Sequence, residues 1–340
     1  MAQVEESVMT QGAGIPVRRR RPKRRRASAW RRRGVIVVIA LFCVGGIVVG
    51  YGRTTTSSSS SAPTTTVPTD APFYLVIGGS SSLGLQPDGV PSDNAELTEN
   101  GYANDVVKLE KDQLHQILNL DQIGCLGTRV EYLTTDPVSN MCYTAPTTQL
   151  TAAVAFLTAH QDDTGIVSID LGFNDVRYCL WEHPINPHCV SQQLAGVSAD
   201  FPTVLAELKA AAGPHVALVG FTYYDPFLAF YLNGASGPSV ANESVAAIDQ
   251  LNTILKADYV HEGIPYANGA AAFNSSDTSR ITLGNVGQIP ANVEAICTYT
   301  WMCVGKPFGP DDHPNNAGYW LLARAIVAAL PAPWRITTVK

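Results

Sequence analysis

The chain has 340 residues, of which 46% are hydrophobic and 15% charged, so disorder of the whole chain is excluded. The formal net charge of −6 is divided unevenly: residues 1–33 carry 11 Lys/Arg and two Glu, whereas residues 54–340 sum to −16. A nucleic-acid-binding domain usually shows a basic face, and the bulk of this chain is acidic, so we expect no nucleic-acid partner.

The basic segment 1–33 is followed by residues 34–52, a stretch of 19 residues without a charge. As a helix this stretch would be roughly 28 Å long, close to the hydrocarbon thickness of a bilayer. The sequence therefore predicts a single membrane span with the N-terminus in the cytoplasm and the remainder outside. The alternative interpretation is a cleaved signal peptide, which would release a secreted form.

Residues 53–70 are nearly all Ser, Thr, Pro and Ala, a composition typical of a flexible linker. Residues 71–340 remain, a length that suits one domain with its own core. We thus predict a basic cytoplasmic tail (1–33), an anchor (34–52), a linker (53–70) and one extracytoplasmic domain (71–340).

Six cysteines lie beyond the predicted span, and an even count in an oxidising compartment indicates disulfides. The simplest arrangement pairs neighbours along the chain, although the sequence leaves other pairings open: Cys125 with Cys142, Cys179 with Cys189, and Cys297 with Cys303. A zinc site formed by Cys179, His183, His188 and Cys189 is a weaker alternative, because their spacing is not a standard ligand pattern.

The outer domain alternates short apolar runs with segments of helical periodicity. Strands are predicted at 73–77, 165–171 and 216–220, and helices at 102–118, 150–160, 194–212, 240–259 and 317–330. Repeated strand–helix units predict a mostly parallel sheet covered by helices on both faces. In such sheets the functional groups collect at the carboxyl ends of the strands.

The segments that follow these strands carry a joint signature. Gly78–Gly84 reads GGSSSLG after the first strand, and Gly172–Asp175 reads GFND after the strand at 165–171. Cys125–Thr128 reads CLGT between them, and Asp311–Pro314 reads DDHP before the last helix. Over residues 72–330 the chain resembles the GDSL, or SGNH, hydrolases, in particular their secreted actinobacterial members.

The match to that family is full in Gly172–Asp175 and partial elsewhere. The first block of the family is Gly-Asp-Ser-Leu, and here Gly79 replaces Asp and Ser81 replaces Leu. The family usually places an Asp three residues before the His of the last block, but residue 310 is a proline. Asp311 is the preferred candidate for that carboxylate and Asp312 is the alternative.

The resemblance implies a three-layer α/β/α sandwich of flavodoxin-like type and a serine esterase or lipase that uses no metal or other cofactor. Ser80 would be the nucleophile, His313 its base and Asp311 the group that orients the imidazole. The backbone N–H groups of Ser80 and Gly127 and the side chain of Asn174 would form the oxyanion hole.

Two other functions use the same fold. One is a catalytically weak protein that binds cell-envelope glycan or lipid, which Gly79 and the altered Cys125–Thr128 block would favour. The other is an acyltransferase with the same three catalytic groups. For the hydrolase, the expected substrate is an acyl ester of a lipid or of the cell envelope. The aromatic segment 221–231 could line an acyl pocket, although a place in the core is the simpler interpretation.

Overall fold

A computed structural model describes residues 71–88, 96–134, 142–284 and 287–336. The predicted tail (1–33), span (34–52) and linker (53–70) lie outside the described residues. Within the described ranges, no helix combines the length and the apolar character that crossing a bilayer requires.

A five-stranded parallel sheet forms the centre of the domain, in the order β4-β1-β5-β6-β7. Two small antiparallel pairs, β2 with β3 and β8 with β9, lie outside it. The strands described are β1 Phe73–Gly78, β2 Leu85–Gln86, β3 Glu96–Leu97, β4 Asn119–Gln122, β5 Gly165–Asp170, β6 Val216–Thr222, β7 Tyr266–Asn268, β8 Arg280–Leu283 and β9 Gly287–Pro290. In the central sheet the strand that follows β1 along the chain lies on one side of it and the later strands on the other, which is the flavodoxin-like order.

Helices occupy most of the chain between these strands. They are α1 Tyr102–Leu109, α2 Glu131–Thr134, α3 Gln149–Ala159, α4 Phe173–Trp181, α5 Pro187–Ala211, α6 Gly237–Glu262, α7 Gly269–Ala272, α8 Ala291–Tyr299 and α9 Asn316–Ala329. A turn of π-helix, Glu110–Leu114, extends α1, so the helix predicted at 102–118 ends at residue 114. The other predicted helices and strands are confirmed, with shifts at their ends.

The alternation of side chains along the strands shows that helices cover both faces of the sheet. The ring of Phe73 packs against Phe156 of α3, with the ring centroids 5.2 Å apart. Phe221 of β6 stacks on Tyr102 of α1, whereas its neighbour Gly220 lies under the ring of Tyr259 of α6. Since α1 packs on α9, and α5 packs on both α3 and α6, two helical layers enclose the sheet. The predicted three-layer sandwich is confirmed.

The three predicted cysteine pairs are all disulfide-bonded: Cys125–Cys142, Cys179–Cys189 and Cys297–Cys303. Because Cys179 and Cys189 share a disulfide, neither can supply a thiolate, and the alternative zinc site is ruled out. The first disulfide closes the loop that contains Gly127, and the second ties the end of α4 to the start of α5.

Candidate active site

The turn after β1 carries the predicted nucleophile. β1 ends at Gly78, and a single turn of 3-10 helix follows at Ser81–Leu83. The carbonyl oxygen of Ser80 accepts hydrogen bonds from the backbone N–H groups of Leu83 and Leu85, at 3.1 and 3.2 Å. These bonds fix the backbone that presents Ser80 at the carboxyl end of the sheet.

The loop before α9 brings a histidine to this serine. His313 Nε2 lies 2.6 Å from the Oγ of Ser80. On the other side of the ring, His313 Nδ1 lies 2.7 Å from Oδ1 of Asp311, and the backbone N–H of His313 donates to the same oxygen at 2.9 Å. The structure therefore brings Ser80, His313 and Asp311 together in one hydrogen-bonded series.

The neighbouring carboxylate has a different partner. Asp312 is 2% exposed, and its Oδ1 lies 3.5 Å from His313 Nδ1, too far for a good hydrogen bond. Both of its oxygens are instead bound by the guanidinium of Arg177, and Trp181 Nε1 donates to Oδ2 at 3.4 Å. Of the two candidate aspartates, the geometry favours Asp311 as the partner of the histidine.

The predicted oxyanion residue Asn174 lies on the first turn of α4. Its side-chain amide donates to the carbonyl oxygen of Thr128 at 3.1 Å, which ties α4 to the loop containing Gly127. The next residue braces the same loop, because both carboxylate oxygens of Asp175 accept from the backbone N–H of Val130, at 3.1 and 3.2 Å. Gly127 itself has φ 69°, a conformation that favours glycine.

At residue 79 the chain has glycine where the family that it resembles has aspartate, and the structure gives a reason for glycine there. A Cβ atom on residue 79 would lie 2.5 Å from Nδ2 of Asn174. Any larger residue in this backbone conformation would therefore displace the amide of Asn174, which occupies the space beside Gly79.

A cleft passes alongside these groups, with Ser80, Asn174, Arg177 and His313 among the residues that line it. Gly127 is not part of this lining. The other lining residues are Gly79, Ser81, Asp170, Gly172, Phe173, Phe221, Tyr223, Tyr224, Asp312 and Leu322. Thus three residues of the aromatic segment 221–231 border the cleft, and the prediction that placed most of that segment in the core also holds, since Phe227 and Phe230 are buried.

The protonation of the groups in the cleft depends on burial and on two ion pairs, His313 with Asp311 and Arg177 with Asp312. Burial lowers the pKa of His313, but the hydrogen bond that His313 donates to Asp311 and the charges of Asp312 and Asp311 outweigh it, so the pKa of His313 is raised. Burial raises the pKa of Asp312, but His313 and Arg177 more than offset it, and the net shift of that pKa is downward. The site therefore favours a charged Asp312 and stabilises an imidazolium.

A further buried carboxylate, Asp170, lies at the end of β5. Its Oδ1 accepts a hydrogen bond from Tyr223 at 2.7 Å. Burial raises the pKa of Asp170 to about 6, despite the opposing effects of the hydrogen bonds from Tyr223 and Tyr102 and of the charge on His313. Sequence reasoning missed Asp170, Asp175, Arg177 and Trp181 as parts of the site. Asp175 ends the Gly172–Asp175 block, and Arg177 and Trp181 follow it on the same helix; that proximity was the available signal.

One cluster in the described part of the chain has the composition of a metal site. Ligand atoms of Asp311, Asp312 and His313 lie within 4.8 Å of one another. However, Asp312 is already neutralised by Arg177, and the two ring nitrogens of His313 are engaged by Asp311 and Ser80. A cation would have to displace these partners, so the cluster fits a hydrogen-bonded series better than a metal ion.

Comparison with known proteins gives structural rather than sequence matches. No protein-family profile and no curated protein matches the sequence significantly. An acetylxylan esterase from Geobacillus stearothermophilus has 19% identity and a TM-score of 0.45, covering 79% of this chain and 99% of its own.

Two Streptomyces enzymes give similar values. The extracellular lipase from Streptomyces rimosus has 18% identity and a TM-score of 0.48, covering 76% of this chain and 100% of its own. Phospholipase A1 from Streptomyces albidoflavus NA297 has 18% identity and a TM-score of 0.47, covering 76% of this chain and 99% of its own. The three neighbours are thus named as an acetylxylan esterase, a lipase and a phospholipase A1.

Proposed function

We propose that the chain is a carboxylic ester hydrolase in which Ser80, His313 and Asp311 carry the chemistry. The observation that supports this most strongly is the hydrogen-bonded series itself, with 2.6 Å between Ser80 Oγ and His313 Nε2 and 2.7 Å between His313 Nδ1 and Asp311. A serine hydroxyl is a weak nucleophile on its own and needs an adjacent base that a third group orients.

The reaction follows from this arrangement in two halves. His313 Nε2 accepts the proton of Ser80 as Oγ attacks the ester carbonyl, and the imidazolium then donates that proton to the departing alcohol. Water attacks the resulting acyl-enzyme, again losing a proton to His313, and the carboxylic acid leaves as Ser80 regains its hydrogen. Asp311 holds the Nδ1 proton in place and stabilises the imidazolium in both halves.

The tetrahedral intermediates require hydrogen-bond donors for their oxyanion. In this proposal the side-chain amide of Asn174 and the backbone N–H groups of Ser80 and Gly127 supply them. Asn174 has the clearest support, because it lines the cleft with Ser80 and has its amide beside Gly79. A single donor of this kind contributes about 3–4 kcal/mol to the barrier reduction.

The compartment belongs to the proposal as well. We place residues 1–33 in the cytoplasm, residues 34–52 in the membrane and the hydrolase domain outside, where an acyl ester of a lipid or of the cell envelope would be the substrate. The charge distribution and the uncharged stretch support this topology, and the three disulfides suit an oxidising compartment.

A fluorophosphonate probe combined with p-nitrophenyl esters of increasing acyl length tests the activity. We expect covalent labelling and hydrolysis by the wild-type protein, and loss of both in Ser80→Ala. Ser191→Ala is the matched control, since Ser191 is exposed on α5 and donates only to the carbonyl oxygen of His188. A wild-type protein that neither labels nor hydrolyses any ester of the series would overturn the proposal.

A further inference from the structure

Two consecutive aspartates, Asp311 and Asp312, precede His313, and they differ in burial and in partners. The side chain of Asp311 is 19% exposed, whereas that of Asp312 is 2% exposed. A buried carboxylate so close to His313 Nδ1 would compete with Asp311 for the imidazole unless another group bound it. That group is Arg177, which contacts both oxygens of Asp312 through Nε and Nη2.

The position of Arg177 on α4 suits this task. It lies three residues after Asn174, and residues at that spacing share one face of a helix. Both side chains line the cleft beside Ser80. Two further contacts secure the pair: the indole of Trp181 donates to Asp312, and Tyr224 donates to its backbone carbonyl oxygen at 3.0 Å. The Asp312 carboxylate is thereby fixed from several sides.

The arrangement has an electrostatic consequence for the histidine. Asp312 and Arg177 carry opposite charges that act on His313 in opposite directions, the first favouring and the second disfavouring the imidazolium. Other titratable groups around the ring and its loop are Asp311 on the same loop, Asp170 at the end of β5, Tyr224 after β6 and Tyr319 on α9. Removing either member of the ion pair leaves the other uncompensated beside the base.

We infer that Arg177 is a positioning residue for the proposed reaction, which binds Asp312 and so reserves His313 Nδ1 for Asp311. The inference rests on the proposed function and adds a division of roles between the two aspartates: Asp311 orients the base, and Asp312 with Arg177 forms a neutral pair that holds the loop. Arg177 acts through its partner and forms no bond in the reaction.

The test compares Arg177→Gln, Asp312→Asn and the double variant in the pH dependence of kcat/KM for a short p-nitrophenyl ester. In Arg177→Gln the unpaired Asp312 carboxylate favours the imidazolium. The acidic limb of the kcat/KM profile, where His313 loses its proton, therefore moves to higher pH by about one unit, and kcat falls. In Asp312→Asn the uncompensated guanidinium disfavours the imidazolium, so the acidic limb moves to lower pH. In the double variant the limb returns close to its wild-type position and kcat exceeds that of Arg177→Gln.

Two further variants separate positioning from folding. Arg177→Lys keeps the charge without the planar fork, so the limb stays near its wild-type position although kcat is not fully restored. Arg280→Gln removes an arginine that does not line the cleft and that donates to Tyr231 Oη at 2.6 Å, and we expect it to leave the limb in its wild-type position. Thermal unfolding of each variant shows which of them fold.

The inference is overturned if Arg177→Gln and Asp312→Asn move the acidic limb in the same direction, or if neither moves it in folded protein. Titration of the His313 ring by NMR gives the same comparison without any substrate. The two proposals can therefore fail separately: an inactive wild-type protein counts against the ester hydrolase, whereas unchanged His313 titration in both variants counts against the role of Arg177. Should Arg177→Gln not fold, the near-isosteric Asp312→Asn decides the outcome alone.

Discussion

Replacing Gly79 by alanine should separate activity from stability. The added Cβ would lie 2.5 Å from Asn174 Nδ2, and nonbonded heavy atoms need about 3.5 Å, so the amide must move by about 1 Å. The backbone itself tolerates alanine, since residue 79 does not lie in the left-handed region. What is lost is the position of Asn174, including its 3.1 Å hydrogen bond to Thr128.

The magnitude follows from the proposed role of Asn174. Displacing a catalytic group by about 1 Å costs about 100-fold in rate, and removing an oxyanion donor costs about 100- to 1,000-fold in kcat. The folding cost is smaller, because the group that moves is the end of a side chain rather than the backbone, and we expect about 1 kcal/mol or less. Gly79→Ala should therefore lose about 100-fold in kcat with little change in Tm.

The assay measures kcat and KM for a short p-nitrophenyl ester together with thermal unfolding. Gly79→Asp, which restores the residue found in the family, should be at least as impaired as Gly79→Ala, because aspartate carries the same Cβ. Gly196→Ala on α5 is the matched control, since a Cβ there meets no atom within 4 Å. Retention of kcat within about threefold in folded Gly79→Ala would refute the reasoning.

The remaining predictions concern the base, a buried acid and a disulfide. Asp311→Asn should lower kcat by about 10,000-fold, measured on the same ester, because an amide cannot stabilise the imidazolium. Glu110 is fully buried and neither of its carboxylate oxygens has a hydrogen-bond partner. Burial raises its pKa from 4.5 to about 8, so the wild-type protein loses stability as the pH rises through this range. This fall in the free energy of unfolding is at most about 5 kcal/mol, and denaturant unfolding of Glu110→Gln should not show it. The control Glu207→Gln, at an exposed position, should show the same fall as the wild-type protein. Replacing Cys125 and Cys142 by serine should cost about 3 kcal/mol in the same experiment.

The sequence predicted the centre of the fold well and its edges poorly, for physical reasons. Strands β1 and β5 are buried along their whole length and rich in apolar residues, and both were predicted within one residue of their observed ends. The edge strand β4, Asn119–Gln122, was missed because it is half-exposed and contains three polar residues in four. Helix α5 begins seven residues before its predicted start, at Pro187, where Asn186 caps it; that Asn-Pro pair was a usable signal.

The site was predictable where its residues belong to a motif and unpredictable where it depends on distant contacts. Ser80, His313 and Asn174, which the structure brings together, could be predicted as candidates because each lies in a segment that resembles a block of the family. The sequence favoured Asp311 but left Asp312 open as the alternative, since both lie beside the histidine. The contact that distinguishes them is made by Arg177, which is 135 residues away from Asp312 along the chain.

Helix α4 links two of the departures from the family pattern. At the first, where glycine replaces aspartate at residue 79, the space is filled by Asn174 from this helix. At the second, where the carboxylate spacing before the histidine is shortened, the surplus aspartate is bound by Arg177 and Trp181 from the same helix. The end of α4 is in turn held by the disulfide at Cys179. Side chains of one short helix therefore make the contacts at both positions. Introducing a single family residue, such as aspartate at position 79, should not improve activity, because the motif and α4 would have to change together.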